Sequence, residues 1–222
     1  MQENNKIRVW DLPLRIFHWS LFVLVSVSLY TGLNGGFVEM DYHMLSGYGI
    51  LALVTFRILW GFFGSHHARF SSFLSLRGIV TYARGVFRRD APGTTGHNPL
   101  GSLSVVAMLL VLLVQAGTGL FSDDDIMTSG PLTHLVSEDL GDQLTGIHHL
   151  NAWLLYGLLG LHLAAISFYE LYRRERLILP MLTGKKTSTE VEPQASNLKE
   201  IVTAVILLTV TGSGVYYLVN YL

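Results

Sequence analysis

Residues 146–162, GIHHLNAWLLYGLLGLH, form an apolar stretch with histidine near both ends. His148 and His162 are fourteen residues apart, so on an α-helix they lie roughly 40° apart around the axis and about 21 Å apart along it. Most of the ~30 Å hydrocarbon core of a bilayer lies between positions at that separation. The stretch therefore predicts a membrane helix that presents two imidazoles on one face, one near each membrane surface.

The composition supports a membrane protein. Of the 222 residues, 50% are hydrophobic and only 14% are charged, and the mean hydropathy is +0.41; soluble domains are nearer a quarter charged. The absence of cysteine excludes disulfides, thiolate-held zinc or iron–sulfur sites, and haem attached covalently through a CxxCH motif. Low net charge and scattered arginines give no reason to expect nucleic-acid binding.

Hydropathy predicts five membrane spans, at residues 14–35, 43–63, 100–121, 146–172 and 201–222. Within the long connection 64–98, apolar residues at helical spacing face a basic side, which predicts a short amphipathic helix in the membrane interface. A solvated basic helix is the alternative. The apolar side would be Leu76, Ile79, Val80, Ala83, Val86 and Phe87, and the basic side Arg77, Arg84 and Arg88.

The charges divide sharply between the two sides of these spans. With five spans, all fifteen lysines and arginines fall on the side of the N-terminus. The positive-inside rule then places the N-terminus in the cytoplasm and the C-terminus in the periplasm of a bacterial inner membrane. The two opposite loops hold eight acids and no cation: Glu39, Asp41, Asp123, Asp124, Asp125, Glu138, Asp139 and Asp142.

The same topology sorts four histidines into two depths. His18 and His162 fall toward the cytoplasmic side, and His43 and His148 toward the outer side. Two pairs on three helices are what two stacked haems with two axial histidines each would need. A lone membrane histidine can instead simply hydrogen-bond a neighbouring helix. A metal-transport pathway would usually place carboxylates beside the histidines, and the predicted spans contain none there.

Several stretches of the chain carry a family resemblance. They begin with Val9-Trp10-Asp11, followed by Arg15-Ile16-Phe17-His18-Trp19, and reach the helix with His148 and His162. Between these lie Arg57-Ile58-Leu59-Trp60-Gly61-Phe62-Phe63-Gly64, Ala68-Arg69-Phe70, Gly96-His97-Asn98-Pro99-Leu100-Gly101, Thr118-Gly119-Leu120-Phe121 and Gly130-Pro131-Leu132. Over residues 9 to about 172 the chain resembles the prokaryotic cytochrome b561-type family, especially the branch of cytochrome b subunits of nickel–iron hydrogenases.

The resemblance implies an all-α, integral membrane four-helix bundle that binds two non-covalent b haems by bis-histidine ligation. It places the ligands at His18, His43, His148 and His162, and it implies electron transfer between quinone and a partner redox protein. That partner would be a periplasmic c-type cytochrome or a hydrogenase-like enzyme. His149 is a possible substitute for His148, but the fourteen-residue spacing selects His148, because thirteen would turn the pair roughly 140° apart.

The resemblance divides the chain into a dihaem domain (residues 1–176), a cytoplasmic linker (177–197) and an additional C-terminal transmembrane helix (198–222). The fifth helix departs from the four-helix pattern, so contact with a partner, lipids or another copy is left open for it. Arg15 and Arg57 are the expected partners of haem propionates, since cations at the membrane surface suit carboxylates.

The residues predict no catalytic group, so the chain is expected to be an electron-transfer subunit of a respiratory oxidoreductase complex. Two other functions stay open at this point. One is a self-sufficient quinol-linked reductase of superoxide or ferric ion. The other is a non-haem, histidine-bearing metal transporter or membrane anchor.

Overall fold

A computed structural model describes residues 5–74, 79–86, 96, 98–124, 126, 128–188 and 198–222. Within this part of the chain, five helices are long and apolar enough to cross a membrane, which confirms the predicted all-α membrane fold. In chain order the elements are β1 (Asn5–Arg8), α1 (Leu12–Asn34), α2 (Phe37–Phe63), α3 (Phe70–Phe73), α4 (Ile79–Gly85), α5 (Pro99–Gly119), α6 (Glu138–Ser167), α7 (Ile178–Thr183), β2 (Lys185–Ser188) and α8 (Leu198–Tyr221).

The spanning helices are α1, α2, α5, α6 and α8. Helix α1 packs against α2, α5 packs against α6, and α2 also packs against both α5 and α8. Successive spans alternate in direction, so α1, α5 and α8 begin on the side of the membrane with the N-terminus, called here the N-terminal side. The central core lies between α1, α2 and α5, with Val54 and Trp60 fully buried and Leu155 of α6 packed into the same cluster.

Helix α2 begins six residues earlier than the predicted second span. The residues expected to form a loop are helical from Phe37, and the amide of Met40 donates to the carbonyl of Gly36 at 2.8 Å. Glu39 lies in the first turn, where a negative charge interacts favourably with the helix dipole. His43 therefore lies in the second turn of α2 rather than at its start.

Helix α6 begins eight residues before the predicted fourth span. Ser137 accepts a hydrogen bond from the amide of Leu140 at 3.4 Å, and Glu138 and Asp139 occupy the first turn. A serine cap followed by acidic residues is a strong helix-start signal. The loop between the third and fourth predicted spans (residues 122–145) is therefore shorter in the structure than the sequence predicts. At its other end α6 continues into one π-helical turn, Phe168–Tyr172.

A buried carboxylate joins the start of α1 to the end of α2. The side chain of Asp11 is only 2% exposed and accepts from the amide of Leu14 at 2.6 Å, which caps α1. Its second oxygen accepts from the indole of Trp60 at 3.1 Å and from the hydroxyl of Ser65. The two helices are thereby fixed to each other at the N-terminal side.

A two-stranded sheet joins the N-terminal residues to the segment before α8. Strand β1 pairs antiparallel with β2, from Asn5↔Ser188 to Arg8↔Lys185. The carbonyl of Gly184 accepts from the amides of Val9 and Trp10, and Arg8 forms a 3.4 Å salt bridge with Glu200 of α8. The sheet and this salt bridge, called here the clasp, give structure to part of the predicted linker, whose residues 189–197 lie outside the described residues.

Helix α4 falls within the predicted amphipathic segment, of which Leu76, Arg77, Phe87 and Arg88 lie outside the described residues. The hydroxyls of Tyr82 in α4 and Tyr169 in the π-helical turn are 3.0 Å apart. Burial, and then this hydrogen bond, raise the pKa of Tyr82. The hydrogen bond therefore links α4 to the end of α6.

Replacing Asp11 by alanine is expected to lower the free energy of unfolding by about 3 kcal/mol. The change removes a helix cap worth about 1 kcal/mol and leaves the buried indole N–H of Trp60 without an acceptor, at about 1–3 kcal/mol; the half-buried hydroxyl of Ser65 also loses its partner. Denaturation of the purified protein in detergent measures the change. Asp41→Ala removes an exposed acid from α2 and should stay within about 0.5 kcal/mol of the wild type; equal stability of the two variants would contradict the assigned role of Asp11.

Candidate functional site

Helix α6 brings each of its two inward histidines to a histidine of another helix. The imidazoles of His43 and His148 have ring centres 6.1 Å apart and planes inclined by 81°. His18 and His162 lie within electrostatic range of each other, and no ring contact joins them among the described residues. The structure thus brings His43 and His148 into contact and leaves His18 and His162 as a looser pair, at a second depth along α6.

The imidazole of His43 is oriented by helix α1. Its Nδ1 lies 2.8 Å from the carbonyl oxygen of Ser28 and 3.4 Å from the Ser28 hydroxyl. A nitrogen that faces a carbonyl must carry the proton, so Nδ1–H donates and Nε2 keeps its lone pair. The ring is therefore held in the tautomer that binds a metal through Nε2.

The imidazole of His148 is oriented in the same way by helix α5. Its Nδ1 lies 3.0 Å from the carbonyl oxygen of Gln115 and 3.3 Å from the hydroxyl of Thr118. The same reasoning assigns the proton to Nδ1 and the lone pair to Nε2. The Nε2 atom lies 3.1 Å from the side-chain amide nitrogen of Gln115, a contact that a metal bond would have to replace.

A glycine makes room for each of these two rings. Gly32 follows Ser28 by four residues, and a Cβ atom on it would lie 2.8 Å from the ring of His43. Gly119 follows Gln115 by four residues, and its Cβ would lie 3.0 Å from the ring of His148. In both helices the missing side chain lets the imidazole reach the carbonyl one turn earlier.

The other pair has a different environment. His18 packs edge-on against Trp19, with ring centres 5.2 Å apart, and the indole of Trp19 donates to the carbonyl of Met181. The Nδ1 atom of His18 is buried and has no hydrogen-bond partner among the residues that the structure describes. This ring therefore retains an unpaired polar atom.

His149, the alternative to His148, is exposed on α6. Its ring centre is 6.2 Å from that of His148, and no contact with His43 is seen among the described residues. The geometry therefore brings His148, rather than His149, against the α2 histidine.

Arg15 and Arg57 both lie at the N-terminal side. Arg15 donates to the carbonyl of Leu182, while its Nε is buried without a partner. Arg57 is 2% exposed, stacks over the ring of Phe70 at 5.2 Å, and has an Nη1 atom without a partner. Each guanidinium thus retains a donor, at the depth of the His18–His162 pair.

The residues present fit a haem. Two metal–imidazole bonds of about 2.1 Å on opposite sides of one ion place the ring centres roughly 6 Å apart, close to the separation of His43 and His148. The described residues contain no group of three or more histidine, cysteine or acidic side chains that could hold a metal ion. Two imidazoles per site instead suit an iron whose other four ligands come from a macrocycle.

Sequence reasoning missed Ser28, Gln115 and Asn151. Asn151 follows His148 by three residues, so it lies on nearly the same face of α6, and a buried amide in a membrane span is a readable signal. The contacts of Ser28 and Gln115 come from neighbouring helices, and no spacing within one helix reveals them.

These features define a multi-pass membrane protein with histidines of different helices brought together between its spans. The chain belongs to the prokaryotic cytochrome b561 family, whose model matches residues 9–184. It is accordingly a membrane b-type cytochrome, an electron carrier that binds haem b.

Three relatives share the same description, "Probable Ni/Fe-hydrogenase B-type cytochrome subunit". The protein of Bradyrhizobium diazoefficiens is 24% identical, and the match covers 81% of this chain and 85% of that protein. The protein of Azotobacter chroococcum is 23% identical, with 87% of this chain and 93% of that protein covered. The protein of Rhodobacter capsulatus is 20% identical, with 84% of this chain and 84% of that protein covered. No solved structure matches the chain.

Gly32→Ala is expected to weaken haem binding at the His43 pair about tenfold, the lower end of the effect of altered ligand orientation. The added Cβ would overlap the His43 ring and force it away from the Ser28 carbonyl. Gly160→Ala is the matched control, because a Cβ there meets nothing within 4 Å and the gain in helix propensity is the same. Haem content per protein, measured by the pyridine haemochrome method, tests this; equal contents in both variants would contradict it.

Proposed function

We propose that this chain holds two b haems, one between His43 and His148 and the other between His18 and His162. It would carry electrons across the membrane between the quinone pool and a redox protein on the opposite side. The observation that carries the proposal is the contact of His43 with His148, together with a second, looser histidine pair at His162, about 21 Å along α6 from His148.

Two histidines for each haem would leave no position on the iron for oxygen, which suits electron transfer. The haems would supply the one-electron redox chemistry. The chain positions them: the carbonyls of Ser28 and Gln115 accept the Nδ1 protons of two ligands, which fixes their rings and raises their basicity. The apolar core around Val54 and Leu155 keeps water away from the path between the pairs.

Arg15 and Arg57 are proposed to bind the propionates of the haem at the His18–His162 pair. Both side chains lie at that depth and each has a buried donor atom without a partner. An arginine–carboxylate bond is charge-assisted and directional, so it would fix the rotation of the haem in its site.

The chain is proposed to face the cytoplasm with its N-terminal side, because all lysines and arginines lie there. The redox partner would then bind outside, and the names of the relatives favour a hydrogenase-like enzyme over a c-type cytochrome. Quinone is proposed as the second partner because a lipid-soluble carrier can reach a haem within the spans.

The pairing predicts the spectra of four variants. His43→Ala and His148→Ala should remove the same redox component, and His18→Ala and His162→Ala the other, since each haem needs both axial ligands. A redox titration of each purified variant measures this. If His18→Ala and His43→Ala removed the same component, the pairing would be wrong. A wild-type protein with a single redox component would refute the two-haem proposal.

The outer acids are proposed to dock the partner through a basic patch. Asp123 accepts from Ser129 at 2.8 Å, and Asp124 accepts from the amides of Ile126 and Thr128; Asp125 lies outside the described residues. Changing all three to asparagine keeps an acceptor at every position and removes only the charge. Complementary charge mainly speeds encounter, over a Debye length of about 10 Å at 0.1 M salt.

The triple variant should transfer electrons more slowly at low salt and show a flatter salt dependence, with both haem spectra unchanged. Stopped-flow reduction or oxidation by the purified partner measures the rate. Glu200→Gln is the control, since it removes an acid from the N-terminal side. An unchanged rate and salt dependence in the triple variant would refute this docking site.

A further inference from the structure

Two amide side chains form a hydrogen-bonded pair inside the membrane spans, between α5 and α6. Asn151 is 8% exposed. Its side-chain nitrogen donates to the carbonyl of Val111 at 3.0 Å and to the side-chain oxygen of Gln115 at 2.7 Å. An amide in hydrocarbon is costly unless its hydrogen bonds are satisfied, and these two satisfy each other.

Gln115 also contacts both nitrogens of one histidine. Its backbone carbonyl lies 3.0 Å from Nδ1 of His148, and its side-chain nitrogen lies 3.1 Å from Nε2 of the same ring. A pair that served only to join α5 to α6 would need the bonds between Asn151, Gln115 and Val111, and no contact with an imidazole. The second contact therefore points to a role in orienting His148.

The donors and acceptors allow one consistent assignment. The Nδ1–H of His148 donates to the carbonyl, so Nε2 must accept, and the amide nitrogen of Gln115 donates to it. The side-chain oxygen of Gln115 then accepts from Asn151. Turning the Gln115 amide over would place its oxygen against the Nε2 lone pair and its nitrogen against the nitrogen of Asn151, which are two repulsive contacts.

We propose that Gln115, held by Asn151, is a positioning residue that keeps the ring of His148 in one orientation, with its Nε2 lone pair protected, before haem is loaded. The side-chain N–H of Gln115 donates a hydrogen bond to the Nε2 lone pair of His148. This hydrogen bond is lost when the lone pair binds iron. One hydrogen bond is exchanged for one coordinate bond, no electron moves, and the Nδ1 proton stays on His148. The inference rests on the proposed function only in taking His148 as a haem ligand.

The test uses the full-length protein with two substitutions of similar size. Gln115→Met removes the amide while keeping the length of the side chain, and Asn151→Leu removes the group that orients that amide. Gln143→Met, an exposed position of α6, is the matched control. Each purified holoprotein is titrated for its two redox components, and haem loss is followed by transfer to excess apomyoglobin.

Both variants should lose haem from the His43–His148 pair about tenfold faster, as for other residues that orient a metal ligand. The potential of that component should shift, while the haem at the His18–His162 pair serves as an internal control and stays unchanged. The double variant should lose haem no faster than the stronger single variant, since both changes break one chain of bonds. If Gln115→Met is not recovered as folded protein, Asn151→Leu decides.

Unchanged haem loss and an unchanged potential would overturn the proposal. Equal changes at both haems would also overturn it, because they would show a general loss of stability rather than an effect on His148. Nitrogen-15 NMR of the haem-free chain gives a separate readout. The Nε2 nitrogen of His148 should show a hydrogen-bonded chemical shift in the wild type and lose it in Gln115→Met, while Nδ1 keeps its proton in both because the backbone carbonyl remains. If the wild-type protein showed a single redox component, the two-haem proposal would fail, whereas an Nε2 shift unaffected by Gln115→Met would refute the positioning role alone.

Discussion

The carboxylate of Asp11 joins the start of α1 to the end of α2 and so sets the relative depths of the histidines on these two helices. It accepts hydrogen bonds from the first turn of α1, from the indole of Trp60 near the end of α2, and from Ser65 just after it. A buried charge is tolerated only with such partners, so the two helix ends cannot slide past each other. His18 and His43 lie on these two helices, and their heights are therefore set from a common point.

One local arrangement serves two histidines on different helices. In α1 and again in α5, a carbonyl oxygen and a glycine four residues later accommodate an imidazole from the adjacent helix. The carbonyl determines the tautomer and the glycine provides the space. His18 lacks this arrangement, since its Nδ1 has no hydrogen-bond partner among the described residues. The two pairs therefore differ in the hydrogen bonds that their imidazoles make, and haems bound there would differ in potential.

The sequence revealed what lies within single helices. Hydropathy predicted the spans and the charge division their orientation. The start of α6 was predicted eight residues late, although Ser137 and the acids after it are a helix-start signal. What depends on contacts between distant segments was not predictable. Strands β1 and β2 are four residues each and show no alternation, and Gln115 becomes notable only when α5 lies against His148. The four histidine ligands were likewise proposed from their spacing. The tautomers of His43 and His148 could be assigned only from the three-dimensional structure.

The clasp has a consequence for biogenesis. Arg8 pairs with Lys185 across most of the chain, and four spanning helices lie between the two strands. During synthesis the N-terminal residues leave the ribosome long before their partner strand exists, and the cost of closing so long a loop is met only once the intervening helices have inserted. The sheet is therefore among the last contacts to form, and until then strand β1 lies at the membrane surface without β2, the strand it pairs with.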